Sequence, residues 1–402
     1  MVQKRVLFLA EAVTLAHVGR MLSLAKGLDR TRFLPFFAWD DRFNKTIGPL
    51  PGPWSPLSSI STETFLDRIY RGQPVYDFDT LDRYVRDDLA LFRTTKPAAV
   101  VGDSRLSLRV STAVAGIPYL NVVNAHWSPY ARTRWIVPCS SIVDKIGPSW
   151  GQRFFDLLRP LYFRAYAKGY NALLKKWGQP RLEMDLRQVY CAGDRTIYPD
   201  LPDLVLTKNL PPTHRFLGPV AWSPDVPLPD QLAQPIPGKK TIYIALGTSG
   251  PTNALPAILS GLSKHSLRVL VSGGNISSIH NPAPDRMDIH LAPFFSGQAA
   301  TETADLVIHN GGSGSINQCL LAGVPFIGVA SNLDQFSCMY FAEQAEVGTT
   351  LRADTLTPAA VDRAVSALLN EPRWRQNIKT LQPRAQAFNP SEILMEVLDK
   401  LP

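Results

Sequence analysis

Short apolar runs alternate with amphipathic stretches along this chain of 402 residues. In the first half, strands are predicted by the apolar runs Val6–Ala10, Ala98–Val101 and Tyr119–Val123. Apolar positions at helical spacing predict helices over Gly19–Leu28 and Leu106–Ala115. Because parallel neighbouring strands need a long connection, which is usually a helix, this strand–helix–strand order predicts a parallel sheet.

The alternation returns in the second half, where it predicts a further sheet with its own helices. The strands and helices predicted there are Thr241–Ala245, Ala254–Leu262, Leu267–Ser272, Asp305–His309, Ser315–Ala322 and Pro325–Val329. A proline-rich stretch without periodicity separates the halves, which is typical of a stiff linker. We therefore predict an α/β protein with two Rossmann-like domains that face each other across a cleft: residues 1–218, a linker over residues 219–240, residues 241–385, and a final helix in residues 386–402.

Composition and cysteine usage narrow the class of protein. Hydrophobic residues make up 45% of the chain, enough for two cores, yet no run reaches the roughly 18 apolar residues that a transmembrane helix needs. The four cysteines are widely spaced, which argues against a disulfide framework and a structural zinc site. Glu11 interrupts the apolar run near the amino terminus, so we expect no signal peptide and predict a cytoplasmic protein.

The net charge of +8 is concentrated in one segment, residues 131–180. This segment holds nine Lys or Arg against two Asp, and aromatic residues are interleaved with the charges. Several interpretations stay open: a solvated surface over packed aromatic residues, peripheral contact with an anionic membrane or a lipid-like ligand, or contact with an anionic small acceptor or a protein. No nucleic-acid-binding motif accompanies the charge, so nucleic acid is not expected as a partner.

A glycine-rich turn between a predicted strand and a predicted helix carries the clearest chemical signal. The strand Leu306–His309 runs into Gly311-Gly312-Ser313-Gly314-Ser315, where the helix begins. Glycine lets the backbone come close to a ligand, and the N–H groups and dipole of a helix start attract anions. The turn is therefore a candidate phosphate or diphosphate site, although a serine-capped turn without a ligand has the same pattern. It lacks both the P-loop lysine and the GxGxxG dinucleotide pattern.

Asp334 and Gln335 follow the predicted strand Pro325–Val329. An acid and an amide at the carboxyl end of a strand can bind several hydroxyl groups at once, as recognition of a sugar requires. A turn aspartate and a solvated glutamine would give the same pair of residues. From these residues alone, both interpretations remain open.

Together these segments resemble the donor-binding signature of the GT-B nucleotide-sugar glycosyltransferases, especially the GT1 family of macrolide, sterol and plant secondary-metabolite enzymes. The matching residues are His309-Asn310-Gly311-Gly312-Ser313-Gly314-Ser315, Gln318, Gly323-Val324-Pro325 and Asp334-Gln335. Two positions depart from the family pattern. Asn310 stands where the family has a diphosphate-contacting histidine, and Gln318 stands where it has a ribose-binding glutamate.

The resemblance implies a donor site in the C-terminal domain. Its candidate residues are Thr248, Ser249, His309, Asn310, Gly312, Ser313, Gly314, Ser315, Gln318, Asp334 and Gln335. The expected donor is a nucleoside diphosphate sugar, built on UDP or dTDP, which serves as a co-substrate. No further cofactor and no metal are expected, and the final helix is expected to cross back to the N-terminal domain.

The resemblance also places the catalytic base and the acceptor in the N-terminal domain. His17 follows the first predicted strand, where a neutral imidazole could take the proton of an acceptor hydroxyl. Asp103, after the strand Ala98–Val101, is the expected partner that fixes the ring's tautomer. His126 and Trp127 are the candidate acceptor contacts. Without the resemblance, a structural His17 and a helix-capping Asp103 remain open interpretations of the sequence.

The function implied is inverting, metal-independent transfer of a sugar to a hydroxyl of an apolar or polycyclic small molecule. A membrane-associated enzyme that glycosylates a lipid-like acceptor is one alternative. A non-catalytic homologue that activates a partner enzyme is another. An epimerase on the same fold is disfavoured, because paired glutamates would be needed where Ile316-Asn317-Gln318 stand.

Overall fold

The computed structural model describes residues 3–247, 250–273 and 278–401. The strands are β1 (Lys4–Ala10), β2 (Phe33–Trp39), β3 (Trp54–Pro56), β4 (Ala99–Asp103), β5 (Tyr119–Val122), β6 (Arg195–Tyr198), β7 (His214–Phe216), β8 (Lys240–Ala245), β9 (Leu267–Ser272), β10 (Met287–Ala292), β11 (Leu306–His309), β12 (Phe326–Ala330) and β13 (Gly348–Arg352). The α-helices are α1 (Leu15–Lys26), α2 (Asn44–Ile47), α3 (Thr62–Tyr70), α4 (Phe78–Thr95), α5 (Leu108–Ala115), α6 (Ser141–Ile146), α7 (Pro148–Lys176), α8 (Leu186–Tyr190), α9 (Asp230–Ala233), α10 (Leu255–Leu262), α11 (Gly297–Thr303), α12 (Ser313–Ala322), α13 (Leu333–Gln344), α14 (Pro358–Asn370), α15 (Pro372–Gln386) and α16 (Pro390–Asp399). They form two compact units, each built on one parallel sheet, as predicted.

The first unit takes in residues 3–132, 149–220 and 389–401 of the described chain. Its strands lie in the order β3-β2-β1-β4-β5-β6-β7. The last five residues of β1 are buried, which explains why its sequence is continuously apolar. The direction in which successive strands are added reverses between β1 and β4. In open α/β sheets, such a switch point creates a ligand site at the carboxyl ends of the strands.

Close packing against β4 requires a glycine at one position of this sheet. A Cβ atom added to Gly102 would come within 2.1 Å of the Cδ1 atom of Leu108, the first residue of α5. Leu108 is fully buried in the core cluster that also contains Leu7, Leu9 and Val100. Helix α5 therefore sits tightly on β4 directly before Asp103.

The second unit takes in residues 133–148 and 221–388 of the described chain. Its strands lie in the order β10-β9-β8-β11-β12-β13, so its switch point falls between β8 and β11. Buried aliphatic residues of β8, β9 and β11 form its core with α10 and α14. The glycine-rich turn follows β11 and therefore lies at this switch point.

Segments at two places lie in a different unit from their neighbours in sequence. Residues 133–148 belong to the second unit, where the N–H of Cys139 donates to the carbonyl oxygen of Ser331 at 2.8 Å. Helix α16 belongs to the first unit, where the Ser391 hydroxyl donates to the Leu24 carbonyl oxygen at 3.3 Å. From residue 221 onward, the proline-rich stretch belongs to the second unit. There, Arg268 donates hydrogen bonds to the carbonyl oxygens of Leu232 and Gln234.

Helix α7 is 29 residues long. Within the described ranges, neither it nor any other helix is both long enough and apolar enough to span a membrane.

Candidate active site

The first unit brings His17 and Asp103 together at the switch point of its sheet. Asp103 is the last residue of β4 and pairs in register with Ala10, the last residue of β1. The chain turns away after Ala10, where the N–H of Glu11 donates to the Asp103 carbonyl oxygen at 3.0 Å. Helix α1 then begins at Leu15 and carries His17 in its first turn.

His17 and Asp103 form a hydrogen-bonded pair in which Nδ1 lies 2.9 Å from Oδ1. An ionised carboxylate only accepts hydrogen bonds, so Nδ1 carries a proton and Nε2 is the basic nitrogen of the neutral ring. The side chain of His17 is 20% exposed, whereas that of Asp103 is buried. The site therefore joins an accessible base to a buried carboxylate that orients it.

Arg20 holds the other oxygen of the same carboxylate. Its Nη1 donates to Oδ2 of Asp103 at 2.9 Å, and its Nη2 donates to Oδ1 of Asn124 at 3.1 Å. Burial alone would raise the pKa of Asp103, but the charge of Arg20 and the interaction with His17 outweigh it and lower that pKa from 3.8. Asp103 is thus an anion that stabilises positive charge on His17.

Asp200 fixes the position of Asn124 through hydrogen bonds. Oδ1 of Asp200 accepts from Nδ2 of Asn124 at 2.9 Å, and its Oδ2 accepts from the N–H of Ala125 at 2.7 Å. Burial raises the pKa of Asp200 above 3.8, because it outweighs the opposing charge of His126 and these hydrogen bonds. The resulting network extends from His17 through Arg20 to the strand end after β5.

Ser104 completes the surroundings of the base. Its Oγ lies 3.1 Å from Oδ1 of Asp103 and 3.3 Å from Nδ1 of His17. Its backbone has a φ of 60°, in the left-handed region that residues other than glycine seldom adopt. Backbone strain of this kind is concentrated at functional sites.

The predicted acceptor contacts lie at the same edge of the sheet, on the short 3-10 turn Ala125–Trp127. His126 is buried, with its ring centre 5.7 Å from that of Trp127. Trp127 is partly exposed and stacks on Tyr190 with ring centres 4.5 Å apart. Of the two predicted contacts, Trp127 therefore offers more surface to a ligand.

A buried ionic cluster that no local sequence pattern predicted lies beside this site. Oε2 of Glu11 accepts from Nη1 of Arg105 at 3.2 Å, and its Oε1 accepts from the Tyr84 hydroxyl at 3.0 Å. Nε of Arg105 also donates to Asp88 at 2.7 Å. Burial outweighs the charge of Arg105 and raises the pKa of Glu11 from 4.5 to about 7.

In the second unit, the glycine-rich turn joins β11 directly to α12. Gly311 has a φ of 82°, which glycine adopts without strain, and a Cβ atom there would lie 3.0 Å from Met339. The N–H of Gly312 donates to Oδ1 of Asn310 at 3.0 Å. Asn310 therefore shapes the turn through its own side chain and positions the start of α12.

His309 points into the core of the second unit. The side chain is buried, its Nδ1 accepts from the N–H of Gly311 at 2.8 Å, and its ring packs on Phe326. Burial lowers the pKa of His309 from 6.5 to about 3, so the ring is neutral. This geometry gives His309 a role in holding the turn.

The first residues of α12 provide the candidate anion site. The N–H groups in the first turn of a helix have no acceptor within the helix and carry its positive dipole end. A Cβ atom added to Gly314 would have no atom within 4 Å, so open space adjoins the helix there. Ser313 is buried and Ser315 is partly exposed in the same turn.

Gln318 and Gln335 both have partners within the second unit. Nε2 of Gln318 donates to the carbonyl oxygen of Trp222 at 2.8 Å. Gln335 forms a capping box with Asn332 at the start of α13, where its Oε1 accepts from the N–H of Ser331 at 2.8 Å. Asp334 is partly exposed in the first turn of that helix.

Comparison with known proteins assigns the chain to a family. Residues 281–400 match the family described as Erythromycin biosynthesis protein CIII-like, C-terminal domain. A PGL/p-HBAD biosynthesis glycosyltransferase of Mycobacterium tuberculosis is 40% identical over 389 residues, which cover 96% of this chain and 89% of that protein. The chain belongs to this glycosyltransferase family. A PGL/p-HBAD biosynthesis rhamnosyltransferase of Mycobacterium bovis is 37% identical to our glycosyltransferase over 93% of this chain and 82% of that protein.

Solved structures agree with the GT-B fold of this GT1-type glycosyltransferase. The spinosyn rhamnosyltransferase SpnG, solved with thymidine diphosphate, matches with a TM-score of 0.70 at 15% identity. The match covers 98% of this chain and 99% of that one. The expected GT-B fold is thereby confirmed, and the relatives at 40% and 37% identity confirm the expected enzyme class, a glycosyltransferase.

Two predicted donor contacts of the glycosyltransferase, Thr248 and Ser249, lie outside the described residues. Three residues of its N-terminal network were missed: Arg20, Asn124 and Asp200. The spacing of Arg20, three residues after His17, was a usable signal, because residues at that spacing lie on one side of a helix. Asn124 and Asp200 had no local signal of this kind, since they come from different strand ends.

Proposed function

We propose that this glycosyltransferase moves a hexose from a dTDP or UDP donor to a hydroxyl of an apolar acceptor, with inversion at the anomeric carbon and without a metal ion. The observation that carries the proposal is the hydrogen bond between His17 and Asp103, which leaves Nε2 of His17 as a base at the sheet's switch point. His126 and Trp127, at the same edge, are proposed to contact the acceptor.

In the proposed step, the acceptor hydroxyl gives its proton to Nε2 of His17 as its oxygen bonds to the anomeric carbon. The bond from that carbon to the diphosphate oxygen breaks, and its electron pair leaves with the nucleoside diphosphate. Asp103 stabilises the imidazolium as it forms, and Arg20 keeps the carboxylate ionised and in place. Base assistance of this kind contributes about 10²–10⁴-fold in rate.

The diphosphate is proposed to bind at the start of α12, beside Gly312, Ser313, Gly314 and Ser315. The open space at Gly314 and the positive end of the helix support this assignment. Asn310 and His309 would act indirectly, because their side chains accept hydrogen bonds from the N–H groups of Gly312 and Gly311 and so fix the conformation of the turn.

Two amide side chains would then contact the sugars of the donor. Because Nε2 of Gln318 is bonded to Trp222, a ribose hydroxyl would donate to its Oε1. Because Oε1 of Gln335 caps α13, its Nε2 and the carboxylate of Asp334 are assigned to the transferred sugar.

The names of similar proteins support the proposed choice of substrates. A relative is named a rhamnosyltransferase, and a structural neighbour was solved with thymidine diphosphate. Relatives named for PGL/p-HBAD biosynthesis also support a lipid-like acceptor. We therefore place dTDP sugars first among the donors to be tested.

A thermal-shift screen of dTDP, UDP and GDP sugars tests the donor, because a ligand that binds only the folded state raises the melting temperature. Turnover of the best donor with a phenolic or lipid-like acceptor, followed by NMR of the product, tests inversion, and repetition with EDTA tests metal independence. A product with the donor's anomeric configuration, or loss of turnover with EDTA, would contradict the proposed mechanism.

A further inference from the structure

Helix α7 has apolar residues on two opposite sides, and only one of these sides is buried. In its second half, the aromatic and aliphatic side chains of Phe163, Tyr166, Tyr170 and Leu174 pack inside the first unit. In its first half, residues 148–162, Gly151 is the one buried residue. Packing in the core therefore does not explain the exposed apolar side chains of residues 148–162.

That half nevertheless carries a stripe of large apolar side chains. All five are more than half exposed: Trp150, Phe154, Leu157, Leu158 and Leu161. At about 100° per residue, they fall within about 100° of the helix circumference, on the side opposite Tyr166 and Tyr170. The stripe is about 17 Å long. Isolated exposed apolar residues are ordinary, but a continuous stripe of this size marks an interaction surface.

Basic residues border the stripe and continue it along the helix. Arg153 and Arg164 lie beside it, and Lys168 and Lys175 follow on the same side of α7, all of them exposed. The guanidinium group of Arg153 lies over the ring of Trp150 at 4.8 Å. Asp156 is the acidic residue of this half, and it lies about 140° around the helix from the middle of the apolar stripe. The exposed side of α7 is therefore apolar at one end and cationic along its border and its other end.

We propose that this side of α7, from Trp150 to Lys175, is a docking surface for an anionic lipid membrane. The five apolar side chains enter the boundary between headgroups and acyl chains, and the four basic residues contact lipid phosphates. The inference deepens the proposed function and rests on it in one respect: an enzyme for a lipid-like acceptor would meet that acceptor at a membrane.

The positive charge on this side of α7 favours an anionic membrane over other occupants. An interfacial helix combines an aromatic and aliphatic side with Lys and Arg, and its binding grows with both buried apolar area and anionic lipid. Juxtamembrane basic residues add electrostatic attraction to an anionic surface. A second copy of the chain would bring the same cationic rows near each other, which is unfavourable. The unpaired state of Arg164 and Lys168 among the described residues is consistent with anionic lipid as their partner.

Sedimentation with vesicles tests the proposal, using the full chain and no sugar donor. The wild type is expected to bind vesicles of phosphatidylcholine mixed with phosphatidylglycerol at low salt, and to bind pure phosphatidylcholine less. Leu157→Glu/Leu161→Glu should weaken binding about tenfold or more, because burying the carboxylates in the interface is unfavourable. Arg164→Gln/Lys168→Gln should weaken binding only to the anionic vesicles.

Leu206→Glu/Val226→Glu is the matched control, because both positions are exposed apolar residues outside α7 and the charge change is the same. Circular dichroism and melting curves check that all variants fold. If the wild type fails to bind anionic vesicles, or if the control loses binding equally, the proposal is overturned. A dimer that dissociates in Leu157→Glu/Leu161→Glu without vesicle binding would assign the surface to a second copy instead. Since no donor is present, either result leaves the proposed sugar transfer to be judged separately.

Discussion

Nδ1 of His17 lies 2.9 Å from Oδ1 of Asp103, although 86 residues separate them in the chain. The contact exists because β1 and β4 are parallel neighbours that end side by side. One residue supplies an accessible nitrogen and the other a buried charge, so each can be changed with a distinct expected result.

Replacement of His17 by alanine should reduce sugar transfer about 10²-fold or more, because the acceptor loses its base. Donor affinity, measured by thermal shift or calorimetry, should stay nearly unchanged. His265→Ala is a close control: His265 also has a side chain 20% exposed and pairs with a carboxylate, that of Asp362, at 2.9 Å, but at the amino end of β9. Equal loss of donor binding and transfer would show that His17 is structural.

Asp103→Asn should lower kcat and also destabilise the protein, since Arg20 would lose its buried counter-ion. Removing one partner of a buried ion pair costs about 3–5 kcal/mol. The pKa of Asp103 is lowered in the folded state, so its ionisation stabilises the protein above pH 3.8, and this contribution is lost as the pH falls through the folded-state pKa.

Urea unfolding at several pH values checks this prediction. The difference in stability between wild type and Asp103→Asn should be largest near neutral pH and should shrink in acid. A difference independent of pH would mean that the carboxylate charge is unimportant. Asp362→Asn, in the partly exposed pair with His265, should have a much smaller effect, because solvent screens an ion pair that lies outside the core.

Gly314→Ala should separate donor binding from folding. No atom lies within 4 Å of the added Cβ, so the fold should tolerate it, and alanine should if anything stabilise the helix by up to about 1 kcal/mol. If the diphosphate occupies that space, donor affinity should fall about tenfold through loss of charge-assisted hydrogen bonds.

Gly169→Ala is the matching helical change, since its Cβ would also meet no atom within 4 Å and it lies on α7 in the first unit. Melting temperature and donor affinity, measured for both variants, decide the outcome. Unchanged donor affinity in Gly314→Ala would argue against a diphosphate at this turn.

Glu11→Gln should change how stability depends on pH. The pKa of Glu11 is raised from 4.5 to about 7 by burial, so its stabilising contribution is complete below pH 4.5 and is lost as the pH rises through about 7. The melting temperature of the variant should therefore rise relative to wild type between pH 5 and 8.

Glu63→Gln, an exposed change on α3, should show no such trend. A melting-temperature difference for Glu11→Gln that falls with increasing pH would indicate that Glu11 is ionised throughout and held by Arg105.

The sequence predicted elements that local patterns define and missed those that depend on tertiary packing. Strand β9 and the ends of α5 and α12 were predicted correctly, because buried runs and the glycines that follow the helices mark them. Helix α1 begins at Leu15, four residues before the predicted start, because Val18 is the one buried residue of its first turn and the continuous buried face begins only after it. The length of α7 was not predicted, since its apolar residues lie on two sides and blur the helical period.

The sequence by itself determined the two parallel sheets, the glycine turn after β11 and the residues around which a glycosyltransferase site is built. These depend on short-range periodicity and on the conformational freedom of glycine, which are encoded locally. Only the tertiary structure decided that Arg20 and Asn124 complete the His17 network, that His309 faces the core, and that residues 133–148 join the second unit. Such contacts depend on which strand ends become neighbours and which side chains burial leaves with a polar partner, and no local pattern specifies either.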